Sequence, residues 1–349
     1  MIKFFRKIRQ KLLAEGKTGK YFKYAIGEIF LVVIGILIAL SINNWNQQIE
    51  DEAKITSILK EIQNDILIDL ETSNMIFDYH VFTDSVAKNI LNNKYTAEDI
   101  KDIDFIPIGY NYRDFKTTTN GFDNLSNNLD KIPEKYKHLL PEVKNLYISL
   151  KTTIDVYNVK IRSTVYTNVD DLAGFNWYQD YLKNELNNEA IDYFLNDVKY
   201  KNLVGAYMGY RSNIFQISNE YRVKAIDLYL EIHKAINSTT KIPEIVNYKS
   251  KSSNNYIGSY RLKETVNPDG IWDANLKIVA RNEELVIVFP ENNFELKLLA
   301  YANKTFFPDE LFYSIITFDS PEKGNLYISQ GVNTYAIYER IKPDLARPK

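Results

Sequence analysis

Residues 24–42 read YAIGEIFLVVIGILIALSI, and only Glu28 among them carries a carboxylate or a basic group. Nineteen residues at ~1.5 Å of rise each cover roughly 28 Å, about the thickness of a bilayer's hydrocarbon core. The stretch predicts a single transmembrane helix. That reading sets the surroundings of everything else, but it assigns no reaction and no ligand.

The flanking charges orient the helix. Lys3, Arg6, Lys7, Arg9, Lys11, Lys17, Lys20 and Lys23 precede the run, opposed only by Glu15. From Asn43 to Asp65 acids outnumber bases five to two. The positive-inside rule therefore predicts a cytoplasmic N-terminus, with residues 43–349 on the far side. The first 42 residues hold eight of the 43 Lys and Arg but two of the 45 Asp and Glu, which leaves the outer part near −8. Such a charge argues against nucleic acid as a partner. A cleavable signal peptide is the alternative, because Ala39-Leu40-Ser41 offers small residues at −3 and −1. The run exceeds the usual apolar core of a signal peptide, however, and its basic prelude is long. Tyr21, Tyr24 and Trp45 suit interfacial anchors.

Within residues 1–23, Ile2, Phe4, Phe5, Ile8, Leu12 and Leu13 share a face at helical spacing, ringed by Lys and Arg. That pattern predicts a short basic amphipathic segment, either lying on the inner leaflet or serving only to set topology. EGKTGK at 15–20 lacks the earlier Gly of a P-loop, since Lys11 stands there. Glu28 is four residues past Tyr24. Three readings apply to it: snorkelling to the interface beside Lys20 or Lys23, a helix–partner contact, or an ion role. Gly27 and Gly35 lie roughly on one side, without a GxxxG pair.

YAIGEIF–VVIGILIAL–INNWN, preceded by MIKFFRKIRQKLL, resembles an uncharacterised Bacteroidota single-span membrane-protein family of unknown function. The likeness is dense over residues 1–46 and looser to about 240. It implies an inner-membrane protein with a periplasmic body. It also makes Gly27, Glu28, Asn43, Asn44 and Trp45 parts of one motif, for membrane or partner contact.

Beyond the membrane, Ile55, Ile58, Leu59, Ile62, Ile66 and Leu70 recur at helical spacing. They predict a long helix to about Asn89 with a break near Ser73. Residues 95–120 are mixed and polar. Further helices are expected over 121–129, 134–166, 178–185, 189–199 and 201–236, with Pro133 and Pro141 marking starts. The stripe Leu139, Val143, Leu146, Leu150, Ile154, Tyr157, Ile161 predicts an antiparallel helical bundle spanning 43–240. Tyr193, Tyr200, Tyr207, Tyr210, Tyr221 and Tyr229 read as core rather than as a ligand pocket.

A polar linker over 241–254 leads into a change of period. Strands are expected at 256–263, 274–281, 284–289, 294–301, 304–307, 311–318, 324–329 and 334–341. Turns are expected at 267–270, 282–283, 292–293 and 321–324. Eight short strands predict a small antiparallel barrel or sandwich over 255–341. Tyr256-Ile-Gly-Ser-Tyr260, the Leu-Val-Ile-Val strand, Phe306-Phe307, Asp319 and Gly324 resemble a lipocalin-like β domain. That likeness implies packing or ligand holding, with Tyr256, Tyr260 and Trp272 at a barrel mouth.

The fold class is thus α+β: one transmembrane helix, a periplasmic helical bundle and a C-terminal β domain. There is no Cys, which excludes thiol chemistry and disulfides. His80, His138 and His233 lack metal-site spacing and read as surface or capping residues. Asp170-Asp171 and Asp102/Asp104 read as solvated loop acids. No cofactor or metal is expected. The expected partners are the lipid bilayer, a membrane or periplasmic protein, and a second copy of the chain. A non-enzymatic binding or scaffolding role leads, and a regulatory subunit acting through a docked membrane partner is the alternative.

Overall fold

The computed structural model describes Arg6 and residues 18–102, 105–246, 253–266, 272–281, 284–302, 304–309, 314–319, 324–330 and 333–341. Most of the basic segment expected over residues 1–23, the turns at 267–270 and 282–283, most of the turn at 321–324, part of the linker and Asp104 lie outside these residues, while residues 18–23 form the start of the first helix.

Helix α1 runs unbroken from Thr18 to Leu91, 74 residues, which is roughly 110 Å at the α-helical rise. Neither Gly nor Pro occurs between Gly35 and Pro107, so nothing in the sequence stops it earlier. The expected membrane span and the helix after it are therefore one element, and the expected break near Ser73 is absent. Ser73 is buried, and its hydroxyl donates to the Leu70 carbonyl at 3.0 Å, so the helix absorbs it. Asn93, at φ +53°, follows the helix end in the left-handed region that stops helices. From Ile26 to Ile49 the apolar side chains of α1 are exposed. Among the described residues, α1 is the one helix long and apolar enough to cross a membrane. Burial of one face begins at Ile55.

Then follow α2 (Ala97–Lys101), α3 (Asn120–Ser126), α4 (Leu140–Lys144), α5 (Lys151–Ala173), α6 (Tyr178–Leu182), α7 (Asn188–Asn196) and α8 (Val198–Ala235). The single helix expected over 134–166 is instead a 3-10 segment Glu134–Leu139, then α4, a π segment Asn145–Leu150 and α5. Pro133 stands at the N-cap of the first piece and Pro141 in the first turn of α4, where a missing N–H costs nothing. α8 lies antiparallel to α1: Gln63 Nε2 donates to the Tyr229 carbonyl (3.0 Å) and Lys201 Nζ to Asn93 Oδ1 (2.6 Å). α5 runs in the direction of α1. The segment before it is tied to α1 by Tyr136 Oη and Thr56 Oγ1 (3.0 Å), and its far end to α8 by Asp171 and Lys199 (3.4 Å). Asp170 and Asp171 are exposed on α5, a correction to their reading as loop acids.

The strands are β1 (Gly258–Thr265), β2 (Asn275–Arg281), β3 (Glu284–Phe289), β4 (Phe294–Ala302), β5 (Thr305–Pro308), β6 (Ser314–Phe318), β7 (Leu326–Gln330) and β8 (Asn333–Arg340). They pair antiparallel in sequence order, and β8 closes on β1. Of the two expected β architectures, the barrel is the one formed. Its inward residues, among them Leu276, Ile278, Leu285, Ile287 and Phe289, fill the interior. The β3–β4 turn forms at Asn292-Asn293 as expected. Asp273 holds it by accepting from the Glu291 N–H (2.5 Å) and from Asn292 Nδ2 (2.5 Å). That geometry replaces the absent turn glycine, because Asn293 takes the left-handed conformation itself.

The barrel rests on the helices through an aromatic joint. Phe77 of α1 and Phe215 of α8 meet Tyr301, Phe307 and Ile315 of the barrel. The Phe77 ring is 3.8 Å from that of Tyr301 and 5.3 Å from that of Phe307.

α3 approaches α1 at Gly121, where a Cβ would lie 2.5 Å from the Ile62 nitrogen. Gly121→Ala therefore forces two backbones apart. We expect a loss of about 1–3 kcal/mol, read as a lower urea midpoint for the full chain in detergent, while Gly205→Ala, in open space inside α8, raises the midpoint by the helix-propensity gain of up to about 1 kcal/mol.

Candidate functional site

The polar interior is concentrated where α1, α5 and α8 meet the connector from Phe105 to Thr119. Along the buried face of α1, Asp65, Asp69 and Ser73 stand four residues apart inside the apolar stripe, followed by His80 and Thr83. α8 contributes Arg211, Ser218, Asn219, Tyr221 and Arg222 to the same interior. These residues, and Asn158 of α5, escape a reading by motif. Their one sequence signal is the acid–acid–serine series at helical spacing inside the apolar stripe of α1.

The connector dictates the arrangement. It has no regular structure, yet Ile108, Gly109 and Phe115 are buried. Sunken main-chain groups need partners. Tyr200 Oη accepts from the Ile108 N–H (3.1 Å) and Asn168 Nδ2 donates to the Gly109 carbonyl (2.9 Å). Tyr207 Oη donates to the Asn111 carbonyl (2.8 Å). Asn158 closes both sides of Phe115, accepting from its N–H (3.1 Å) and donating to its carbonyl (2.7 Å). Asp69 Oδ1 accepts from the Thr118 N–H (2.8 Å), and Asp65 Oδ2 from the Gly121 N–H (2.7 Å).

Asp69 also accepts from Tyr221 Oη at 2.5 Å. Burial raises its carboxyl to about 6, outweighing the lowering by these hydrogen bonds. Burial likewise raises Asp84 to about 6, against the lowering influence of Lys88. His80 is buried and stacked on Phe215 at 4.1 Å, not at the surface as expected. Burial, then the charge of Arg211, holds it down to about 3, so it is neutral. Arg211 donates to the carbonyls of Ile76 (3.2 Å) and Arg113 (3.3 Å), and its guanidinium lies 4.3 Å from the Tyr79 ring centre. Arg222 donates to Ser73 Oγ (3.1 Å) and Asn74 Oδ1 (2.5 Å). Among the described residues neither arginine joins an ion pair. Carbonyls and ring faces hold them instead.

This cluster is closed to solvent at Asp69, His80 and Arg211. Its chemistry is positional: it fixes three helices to one connector. The Tyr-rich stretch belongs to it, since Tyr193, Tyr200, Tyr207, Tyr221 and Tyr229 are buried core. Among the described residues no group of three or more His, Cys, Asp or Glu has the arrangement of a metal site.

The residues singled out by sequence fall into two other places. Gly27, Glu28, Gly35, Asn43, Asn44 and Trp45 lie along α1. Glu28 is half-buried, a Cβ at either glycine meets nothing within 4 Å, and Trp45 is 62% exposed. Tyr256 and Tyr260 are buried in the barrel, where Tyr260 Oη donates to the Tyr256 carbonyl (2.8 Å) and the Tyr256 ring stacks on Phe318. Trp272 is half-buried, with its ring 6.3 Å from Phe289. The structure thus brings Tyr256 and Tyr260 together as packing and leaves the other six residues spread along one helix.

Residues 28–132 match the model of a family of unknown function, DUF6090. The matched stretch takes in α1 from Glu28, the connector and α3. No curated protein and no solved structure matches the chain.

The raised carboxyl of Asp69 makes a pH prediction. A group held above its unfolded value stabilises the fold when protonated, and that stability is lost as pH rises through about 6. Asp84 acts in the same sense, and His80, depressed, in the opposite one. The difference between wild type and Asp69→Asn isolates one group. Relative to the variant, wild type is expected to lose up to about 3 kcal/mol between pH 4 and pH 7.5, measured by urea denaturation across that range. A constant difference would contradict the assignment.

Proposed function

We propose that the chain is a non-enzymatic, single-pass inner-membrane protein whose periplasmic body, an antiparallel helical bundle carrying a β-barrel, binds or scaffolds another envelope component. The unbroken helix α1 is the observation that carries this reading. From Asn43 to Lys54 its side chains are exposed, apart from half-buried Asp51. That leaves a stalk of roughly 18 Å between the apolar segment and the body. The aromatic joint then seats the barrel on α1 and α8 rather than leaving it on a free linker. A rod of this kind sets height and orientation. The basic N-terminus and the acidic exit support an N-in orientation.

A regulatory subunit docked through the membrane helix is the second reading, favoured by Glu28 and by a helix continuous from bilayer to body. Pull-downs from membranes with wild type and Glu28→Gln separate the two. An unchanged set of partners is expected for scaffolding through the body. Selective loss of a membrane partner in the variant would favour regulation, and the absence of any reproducible partner would remove both.

The absence of native Cys makes topology directly measurable. With single cysteines, Gln47→Cys should react with a membrane-impermeant maleimide once the outer membrane is permeabilised, and Lys17→Cys only after lysis. The opposite pattern reverses the orientation, and loss of the Lys17→Cys label from the mature chain would show cleavage.

A further inference from the structure

The outermost face of α5 is apolar where a solvated helix carries charge. Its buried side is formed by Ile154, Asn158, Ile161 and Val165. On the opposite side Val156, Val159 and Tyr166 are 60%, 62% and 56% exposed. With Thr152 and Ser163 they form the series Thr152, Val156, Val159, Ser163, Tyr166, spaced alternately four and three residues, which is the seam spacing of a coiled coil. No residue of this seam is charged. Asp155 flanks it on one side and Lys160 on the other. In two parallel, in-register copies, Asp155 of one helix faces Lys160 of the other, five residues on, as flanking charges do in such pairs.

We propose that this face pairs α5 with α5 of a second copy of the chain, the two helices running parallel. The direction follows from the fold and rests on the membrane-anchor reading. α5 runs with α1, and two copies inserted alike in one membrane are related by an axis along its normal. The seam is short, and shared anchoring supplies the effective concentration that a short seam needs. Competing contacts are weak. Asp155 meets Lys151 at 2.6 Å, the Lys160 ammonium lies 4.9 Å from the Tyr210 ring centre, and Tyr166 shares a hydrogen bond with Tyr112 (3.1 Å), all at the surface. A second exposed apolar ridge outside the apolar run, Ile68, Met75 and Phe82 on α1, is interrupted by Glu71 and Asp78. A second copy in register there would bring like charges together.

The test uses the full chain in membranes, with single cysteines and mild oxidation. Val156→Cys, Val159→Cys and Ser163→Cys should each give a disulfide-linked dimer, several-fold above the exposed controls Asp130→Cys and Glu231→Cys. Disulfides between identical seam positions report a parallel, in-register pair. In the Val159→Cys background, Asp155→Lys should lower the dimer several-fold, and adding Lys160→Asp should restore it. Equal linking at seam and control positions, no linking at the seam, or no rescue by the charge exchange would each overturn the proposal. These positions are exposed, so an unchanged urea midpoint shows that each variant is folded. Failure of the anchor reading has its own signal, release of the chain from the membrane fraction.

Discussion

The helical part depends on one constraint: an irregular connector sinks its main chain between helices, and every sunken N–H and C=O must find a partner. Regular structure satisfies such groups within itself, whereas a sunken loop borrows from its neighbours. Here Asp69 of α1, Asn158 and Asn168 of α5, and Tyr200 and Tyr207 of α8 are the lenders. The three long helices are thereby made interdependent through a segment that belongs to none of them. The family match ends at Ile132, before any of the α5 or α8 partners. The matched stretch therefore does not satisfy its own main chain. In this protein its connector is completed by residues 158–211.

Continuity of α1 turns that local constraint into an organisation of the whole chain. Ile55 to Ile90 of the same helix carry the apolar core, the acid series and Phe77 of the barrel joint. Displacing α1 within the body would strain the connector and unseat the barrel together. The joint itself lies against the polar interior: Arg222, which binds Ser73 and Asn74, also lies 5.4 Å from the Tyr301 ring centre, and Tyr301 Oη donates to the Asn74 carbonyl (3.3 Å).

Which parts were legible in sequence follows from the range of the interactions that make them. Leu276 and Ile278, then Leu285, Ile287 and Phe289, alternate because barrel strands bury every second residue, so all eight strands were visible locally. The Leu139-to-Ile161 stripe announced a buried helical face in the same way, although not the π segment within it. Ser73 reads as a break because Ser is a poor helix-interior residue on its own. Its burial and its contact with Arg222, 149 positions away, reverse that preference. The connector was illegible for the same reason. Residues 105–119 look polar and mixed, and what buries them lies as far as 98 positions along the chain. His80 sits in the core because Phe215 stacks on it, which no local pattern discloses.

The same interior sorts its charges by whether they are able to disappear. Burial disfavours the ionised form of a group, and a carboxyl or an imidazole answers by changing protonation. Asp69 and Asp84 move up to about 6 and His80 down to about 3, each toward its neutral form. Arginine has no such escape. Arg211 and Arg222 remain charged, and the fold surrounds them with carbonyls, an amide oxygen, a hydroxyl and the faces of Tyr79 and Tyr301. Removing the Arg211 guanidinium would take a donor from the Arg113 carbonyl of the connector, and removing that of Arg222 would take one from Ser73 Oγ and Asn74 Oδ1, while removing the ring would leave the charge exposed to a weakly polar interior. The two arginines thus act as fixed cross-braces between α8 and α1, and this accounts for buried charge without assigning it a reaction.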